Sequence, residues 1–366
     1  MNMKNALLAT AFGLGLAATA SAQTTVVHIT GSTAFRSAVH NAILAQMTGE
    51  TYAYAPSPTT LNSASQSNFF GTIAGHTNVL IKCSWSGSVT GIQSLVAPAS
   101  RVDSFLADSV HGSASGDNVA AGTANEEADI AMSDVFQGST VFTDPVLLDN
   151  TVAVAPFKIL AGNGAPASLT NVTAYGLQSL YGAGKIPLAL LTGQNADRGS
   201  KVYAMGRDNG SGTRLVTVAD CGLGALSNVI QYTYASNTYT NAGNGGYGSG
   251  GTIAAALGLT TTQAGGYNIG YVGLSDAITA LGLGAKELTY NGVAESDTAV
   301  REGSYSLWGY EHLMTRDDIS GVAADVATSL ITAISANPGS AGVVLSTMGV
   351  SRVAEGTPIG NKYATP

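Results

Sequence analysis

The feature that most constrains this chain is a threefold alternation of β-rich run, Gly/Ser/Thr turn and helical periodicity. In the first unit Val26-Val27-His28-Ile29 leads through Thr30-Gly31-Ser32-Thr33-Ala34, after which Phe35, Val39, Ile43, Leu44 and Met47 recur at helical spacing. In the second, Asn78–Cys83 leads through Ser86-Gly87-Ser88-Val89-Thr90-Gly91 to Ile92, Leu95 and Val96. In the third, Lys201–Met205 leads through Arg207-Asp208-Asn209-Gly210-Ser211-Gly212-Thr213 to Leu215, Val216 and Ala219. Units of this kind bury helices against a largely parallel sheet, so the expected class is α/β. A fourth glycine cluster, 245–251, precedes an apolar run at 252–257 that reads as another helix start. The Asn/Thr/Gly-rich stretch 235–251 is expected to be a surface loop. No repeat of fixed period is present, which excludes a solenoid or propeller.

Charge narrows the function. Hydrophobic residues are 45% of the 366, enough for a large core, while charged residues are 10% against roughly 25% in an average globular protein. The formal charge is −8. An acidic chain is a poor partner for nucleic acid or for anionic lipid. Residues 1–22 have Lys4, an apolar run over 6–18 and Ala20-Ser21-Ala22, the pattern of a cleaved signal peptide. They imply export, and the run is short for a bilayer about 30 Å thick. Export permits a disulfide between Cys83 and Cys221; two buried free thiols are the alternative. The five histidines form neither an H-x-x-H nor an HExxH pattern, so no metal site is expected.

A helix start carries unpaired backbone N–H groups and a partial positive charge. Glycine lets a ligand approach the backbone, and Ser/Thr hydroxyls add donors, so such a turn suits an anion. One turn alone is an ordinary N-cap. Three turns together with Arg207 and Asp134 suggest a single oxyanion site. Arg207 offers a planar fork of donors and is expected to reach back over the helix start at 211–213. Asp134 ends the alternating run Ala128-Asp129-Ile130-Ala131-Met132-Ser133. An ionised carboxylate only accepts hydrogen bonds. It therefore suits an oxyanion that carries a proton, such as hydrogen phosphate, and rejects fully ionised sulfate.

At this point the chain resembles the phosphate-binding proteins that feed ABC phosphate importers, within the type II periplasmic-binding-protein superfamily. Gly31-Ser32-Thr33-Ala34-Phe35 is similar to that family's first phosphate loop and Gly87-Ser88-Val89-Thr90-Gly91-Ile92 to its second. The 129–134 run resembles D-x-G-x-S-D, and 207–213 resembles R-x-D-G-S-G-T, the most specific of the set. Asn268-Ile269-Gly270-Tyr271-Val272 and Tyr305-Ser306-Leu307-Trp308-Gly309-Tyr310 continue the order. Three places depart from the pattern: Ala34 stands where many members carry a ligand threonine; Asn209 replaces the aspartate that partners the arginine, which leaves Arg207 more strongly positive or aimed differently unless Asp208 substitutes; and Val89 and Thr90 enlarge a loop position often held by small residues.

The resemblance implies a two-lobed α/β fold with two hinge crossovers, near Val152–Pro156 and Ser304–Gly309. Domain I would be 23–151 with 306–366, and domain II would be 152–305. It implies a phosphate site made of Thr33, Ala34, Phe35, Ser88, Asp134, Arg207, Ser211, Gly212 and Thr213, with no cofactor and no metal. It implies a periplasmic or secreted protein, inorganic phosphate as ligand, an ABC permease as partner and no nucleic acid. The alternatives are a binder of another tetrahedral oxyanion (sulfate, arsenate or molybdate) and a surface protein that kept the fold without transport. An enzyme is disfavoured, since neither a G-x-S-x-G elbow nor a Walker A pattern is present.

Overall fold

The computed structural model describes residues 23–55, 60–120, 122–261 and 266–361. The signal-peptide reading of 1–22, and the last five residues of the proposed first domain, lie outside them. Among the described residues no helix is long and apolar enough to cross a membrane.

The architecture is α/β, as the three strand–turn–helix units require. One sheet runs through the chain's centre. On one side, Thr25–Gly31 lies between His76–Ser84 and Ile130–Ser133, parallel to both. On the other, Lys201–Ala204 runs parallel to Tyr267–Gly273. Two long strands, Leu148–Ala161 and Trp308–Thr315, stand between these groups and pair antiparallel, with Pro156 opposite Trp308. The 148–161 strand gives its first half to one group and its second half, Phe157–Ala161, to the 267–273 strand of the other. The 148–161 strand is exposed at its start and buried and mostly apolar from Val152 on, and the 308–315 strand is buried throughout, as strands covered on both faces are.

The C-terminal segment folds back across this junction. The Arg352 guanidinium lies 4.0 Å from the Trp308 ring centre and donates to Ser306 O at 2.6 Å. Its Nη1 stands 3.5 Å from Asp220, at the end of the 212–220 helix.

The expected loop at 235–251 is corrected. Thr238–Gly243 is a strand, paired antiparallel with Gln231–Ala235. Ser236 and Asn237 both have positive φ, the signature of the tight turn whose twist suits a hairpin. Alternating Tyr and Thr on both arms supply the β-forming side chains, and Tyr239 stacks on Tyr203 at 3.9 Å between ring centres. Only 244–249 remains irregular before the helix Gly250–Leu257. Cys83 and Cys221 are both free and buried, and burial pushes their thiols up to about 12 and about 11.

Candidate functional site

Open α/β sheets gather ligand groups at the carboxyl ends of their parallel strands. Here those ends carry the motifs read from the sequence. The 25–31 strand leads to the first turn and the helix Arg36–Gln46. The 76–84 strand leads to the second turn and the helix Ser88–Val96. Asp134 follows the strand Ile130–Ser133 directly. The 201–204 strand leads to the third turn and the helix Gly212–Asp220.

The three turns meet. Gly87 N–H donates to Gly31 O at 2.8 Å, and Val89 N–H donates to Gly210 O at 3.0 Å. Gly87 has φ +105°, and a Cβ on it would come within 2.5 Å of Gly210 O. A side chain at Gly87 would therefore both strain the backbone and push the second and third turns apart.

Asp134 is the centre of the contacts. It is fully buried. Ser88 Oγ donates to its Oδ1 at 2.5 Å and Thr213 Oγ1 to its Oδ2 at 2.8 Å, while its own N–H donates to Ser88 Oγ at 3.2 Å. Burial raises its carboxyl above the ordinary value; the two hydroxyls and the nearby Arg207 charge pull the other way. Each carboxylate oxygen has two lone pairs, so acceptor capacity remains for a ligand O–H. Gly212 packs so closely that a Cβ there would overlap Oδ1.

Arg207 is 2% exposed, and burial pulls its guanidinium below the ordinary value. Its Nη1 donates to Thr33 Oγ1 at 2.9 Å, Nε to Tyr247 O and Nη2 to Gly248 O, both at 3.0 Å. It thus points across to the first turn, not back over its own helix start. Asp208 makes no ion pair with Arg207, its Oδ1 accepting Gly210 N–H, but its charge is the foremost of those that favour the charged guanidinium. Arg36 and Arg352 pair with Asp276 and Asp220. Among the described residues no carboxylate lies within ion-pairing distance of Arg207. A buried cation without a counter-ion is costly, and a bound anion would relieve that cost.

The structure brings Thr33, Ser88, Asp134, Arg207, Gly212 and Thr213 together. Ala34 packs on Gly273, and the Phe35 ring is a core side chain against Gly342. Among the described residues the N–H groups of Ala34 and Phe35 have no acceptor. Those two positions therefore offer backbone donors and not side chains. Ser211 Oγ caps its helix, accepting Arg214 N–H at 3.2 Å, which leaves its O–H free to donate.

Several residues were missed in the sequence. Tyr271 OH accepts Arg207 N–H at 3.0 Å, and Arg214 and Gln231 donate to Arg207 O. Arg36 Nη2 meets Asp276 Oδ1 at 2.7 Å and Ser37 Oγ meets Ser275 Oγ at 2.9 Å, so two helix starts are tied across the site. Glu311, on the 308–315 strand, was signalled by being a charge inside an apolar run. It is wholly buried and accepts from Ser32 Oγ at 3.4 Å. Burial, and then the Asp134 charge, holds its carboxyl well above the ordinary 4.5.

This last point has a stability consequence. From about pH 4.5 upward the folded chain keeps a proton on Glu311 that the unfolded chain has lost. The folded state binds more protons, so stability falls as pH rises through that window. Glu311→Gln keeps the shape and removes the titration. Thermal melts at pH 5 and pH 8 are expected to show a smaller drop for the variant than for the parent, with the variant the more stable at pH 8. An equal drop in both would remove Glu311 from this role.

No family model matches the sequence, and no curated protein matches it. Solved structures do. A protein from Clostridium perfringens, assigned as a phosphate ABC transporter substrate-binding protein and solved with bound phosphate, aligns with TM-score 0.53 over 85% of this chain and 93% of its own, at 14% identity. The chain has the two-lobed substrate-binding-protein fold. An ABC-type phosphate transport receptor from Vibrio cholerae gives TM-score 0.46 and 15% identity over 84% of this chain and 94% of its own. PstS from Borrelia burgdorferi gives 0.41 and 16% over 85% and 92%. Asp134 follows the 130–133 strand of one strand group and Arg207 follows the 201–204 strand of the other.

Proposed function

We propose that this chain is an exported, non-enzymatic substrate-binding protein that captures inorganic phosphate between its lobes and delivers it to an ABC permease. The observation that carries this reading is the buried meeting of three helix starts around one carboxylate and one guanidinium that, among the described residues, has no carboxylate within ion-pairing distance. Helix starts and Arg207 attract an oxyanion, and Asp134 selects one that still carries a proton. The lobes are 23–151 with 306–366, and 152–305, hinging at Val152–Pro156 and Ser304–Gly309. The pairing of Pro156 with Trp308 supports that division, as does the shared fold of the Clostridium perfringens protein solved with phosphate. A micromolar affinity is about −8 kcal/mol, within reach of several charge-assisted bonds at ~1.5–3 kcal/mol each after closure costs.

Asp134→Asn tests the selection directly. An amide donates where the carboxylate only accepts, so the variant is expected to bind sulfate better and phosphate worse. The ratio of the two dissociation constants should change by roughly tenfold or more. Titrations of phosphate, arsenate, sulfate and molybdate against both proteins measure it. Tight sulfate binding by the parent, with none for phosphate, would instead favour the reading as a binder of another tetrahedral oxyanion.

A further inference from the structure

Arg207 gives its guanidinium to three neutral acceptors, Thr33 Oγ1, Tyr247 O and Gly248 O. Each terminal nitrogen of a guanidinium carries two N–H groups. Nη1 and Nη2 each bond once, so among the described residues each keeps one N–H for a ligand. Where that pair points depends on the 244–249 segment, because two of its carbonyls guide the guanidinium. We propose that Gln231, at the start of the 231–243 hairpin, is a positioning residue for Arg207: it ties the arginine's main chain to the 244–249 segment and so aims the guanidinium at phosphate. The inference rests on the phosphate reading and adds a residue to its site.

The contacts place Gln231 between the two. It is wholly buried. Its Nε2 donates to Arg207 O at 3.0 Å and to Gly245 O at 2.6 Å. Its Oε1 accepts from Tyr271 OH at 3.3 Å, and the same Tyr271 oxygen accepts Arg207 N–H. One carboxamide therefore reaches the carbonyl of Arg207 directly, its N–H through Tyr271, and the segment that guides the side chain.

There is little slack in this arrangement. A Cβ on Gly206 would overlap Gln231 Oε1, and a Cβ on Gly246 would lie 2.7 Å from Arg207 O. The segment thus rests on the 206–207 main chain. Tyr247 N–H donates to Gly206 O at 2.9 Å and Asp208 N–H donates to Tyr247 O at 3.1 Å, which pairs Arg207 with Tyr247 as a parallel bridge. A shift at Gly245 is passed along to the Tyr247 and Gly248 carbonyls. The residue type fits the task. A carboxamide donates to two carbonyls and accepts from a hydroxyl at once. It is also uncharged, so it orients the cation without offsetting the charge that attracts an anion.

The test is a double-mutant cycle read by calorimetric titration with inorganic phosphate, using the parent, Gln231→Met, Arg207→Ala and the pair. Methionine keeps the length and lacks the amide. Gln231→Glu keeps the shape, withholds at least one of the two N–H bonds, and carries the test if the methionine variant does not fold. Either change is expected to weaken phosphate about tenfold when Arg207 is present, and less than about twofold when it is already alanine. An unchanged dissociation constant with Arg207 present would overturn the positioning role and leave the phosphate reading standing. An equal loss in both backgrounds would overturn it as well, since a merely structural residue behaves that way. Absence of phosphate binding by the parent would overturn the phosphate reading and this inference with it.

Discussion

Arg207→Ala is expected to weaken phosphate binding by roughly ten- to a hundredfold, the worth of one charge-assisted hydrogen bond at ~1.5–3 kcal/mol. The loss should be larger if two guanidinium donors reach the ligand. The main chain at 207 keeps its ties to Tyr271, Arg214 and Gln231, so the variant should fold. Arg207→Lys retains the charge but not the fork that spans Thr33, Tyr247 and Gly248 at once, so it should recover only part of the loss. Titration of both variants, each checked by circular dichroism, measures this. Full affinity in the alanine variant would place the anion elsewhere.

Gly212→Ala is the second large effect, and it acts by volume and not by charge. Gly212 opens a helix, where alanine is locally favourable. The added Cβ, however, would overlap Asp134 Oδ1 and sit 2.8 Å from Ser88 Cβ. Asp134 and Ser88 belong to one strand group and Gly212 to the other, so the methyl group wedges the two apart. The variant is expected to fold, to stay open in solution scattering at saturating phosphate, and to lose affinity on the order of a hundredfold because its closed state is rarely populated. Parent-like affinity would show that closure at Gly212 is not part of binding.

The fold and the five pieces of the candidate site were legible because each is local. A strand, a Gly/Ser/Thr turn and a helix start are contiguous in sequence, and Asp134 follows its strand directly. What was illegible depends on distant partners. The direction of Arg207 is set by Thr33, 174 positions away, and by two carbonyls of the 244–249 segment. That segment read as idle loop because Gly and Asn dominate it, although its carbonyls hold the guanidinium. The 231–243 hairpin was hidden by the same composition, which masked the alternating Tyr and Thr. The tie between Arg36 and Asp276 joins residues 240 positions apart, and neither sits in a motif. Ser211 caps its own helix through a lone pair, a role set by Arg214 three residues on, and its O–H remains a donor.

One titration tests the central claim most directly. The purified protein, with sodium phosphate in the calorimeter, is expected to bind one phosphate per chain with a micromolar or lower dissociation constant. No heat and no bound phosphate at millimolar concentration would contradict it.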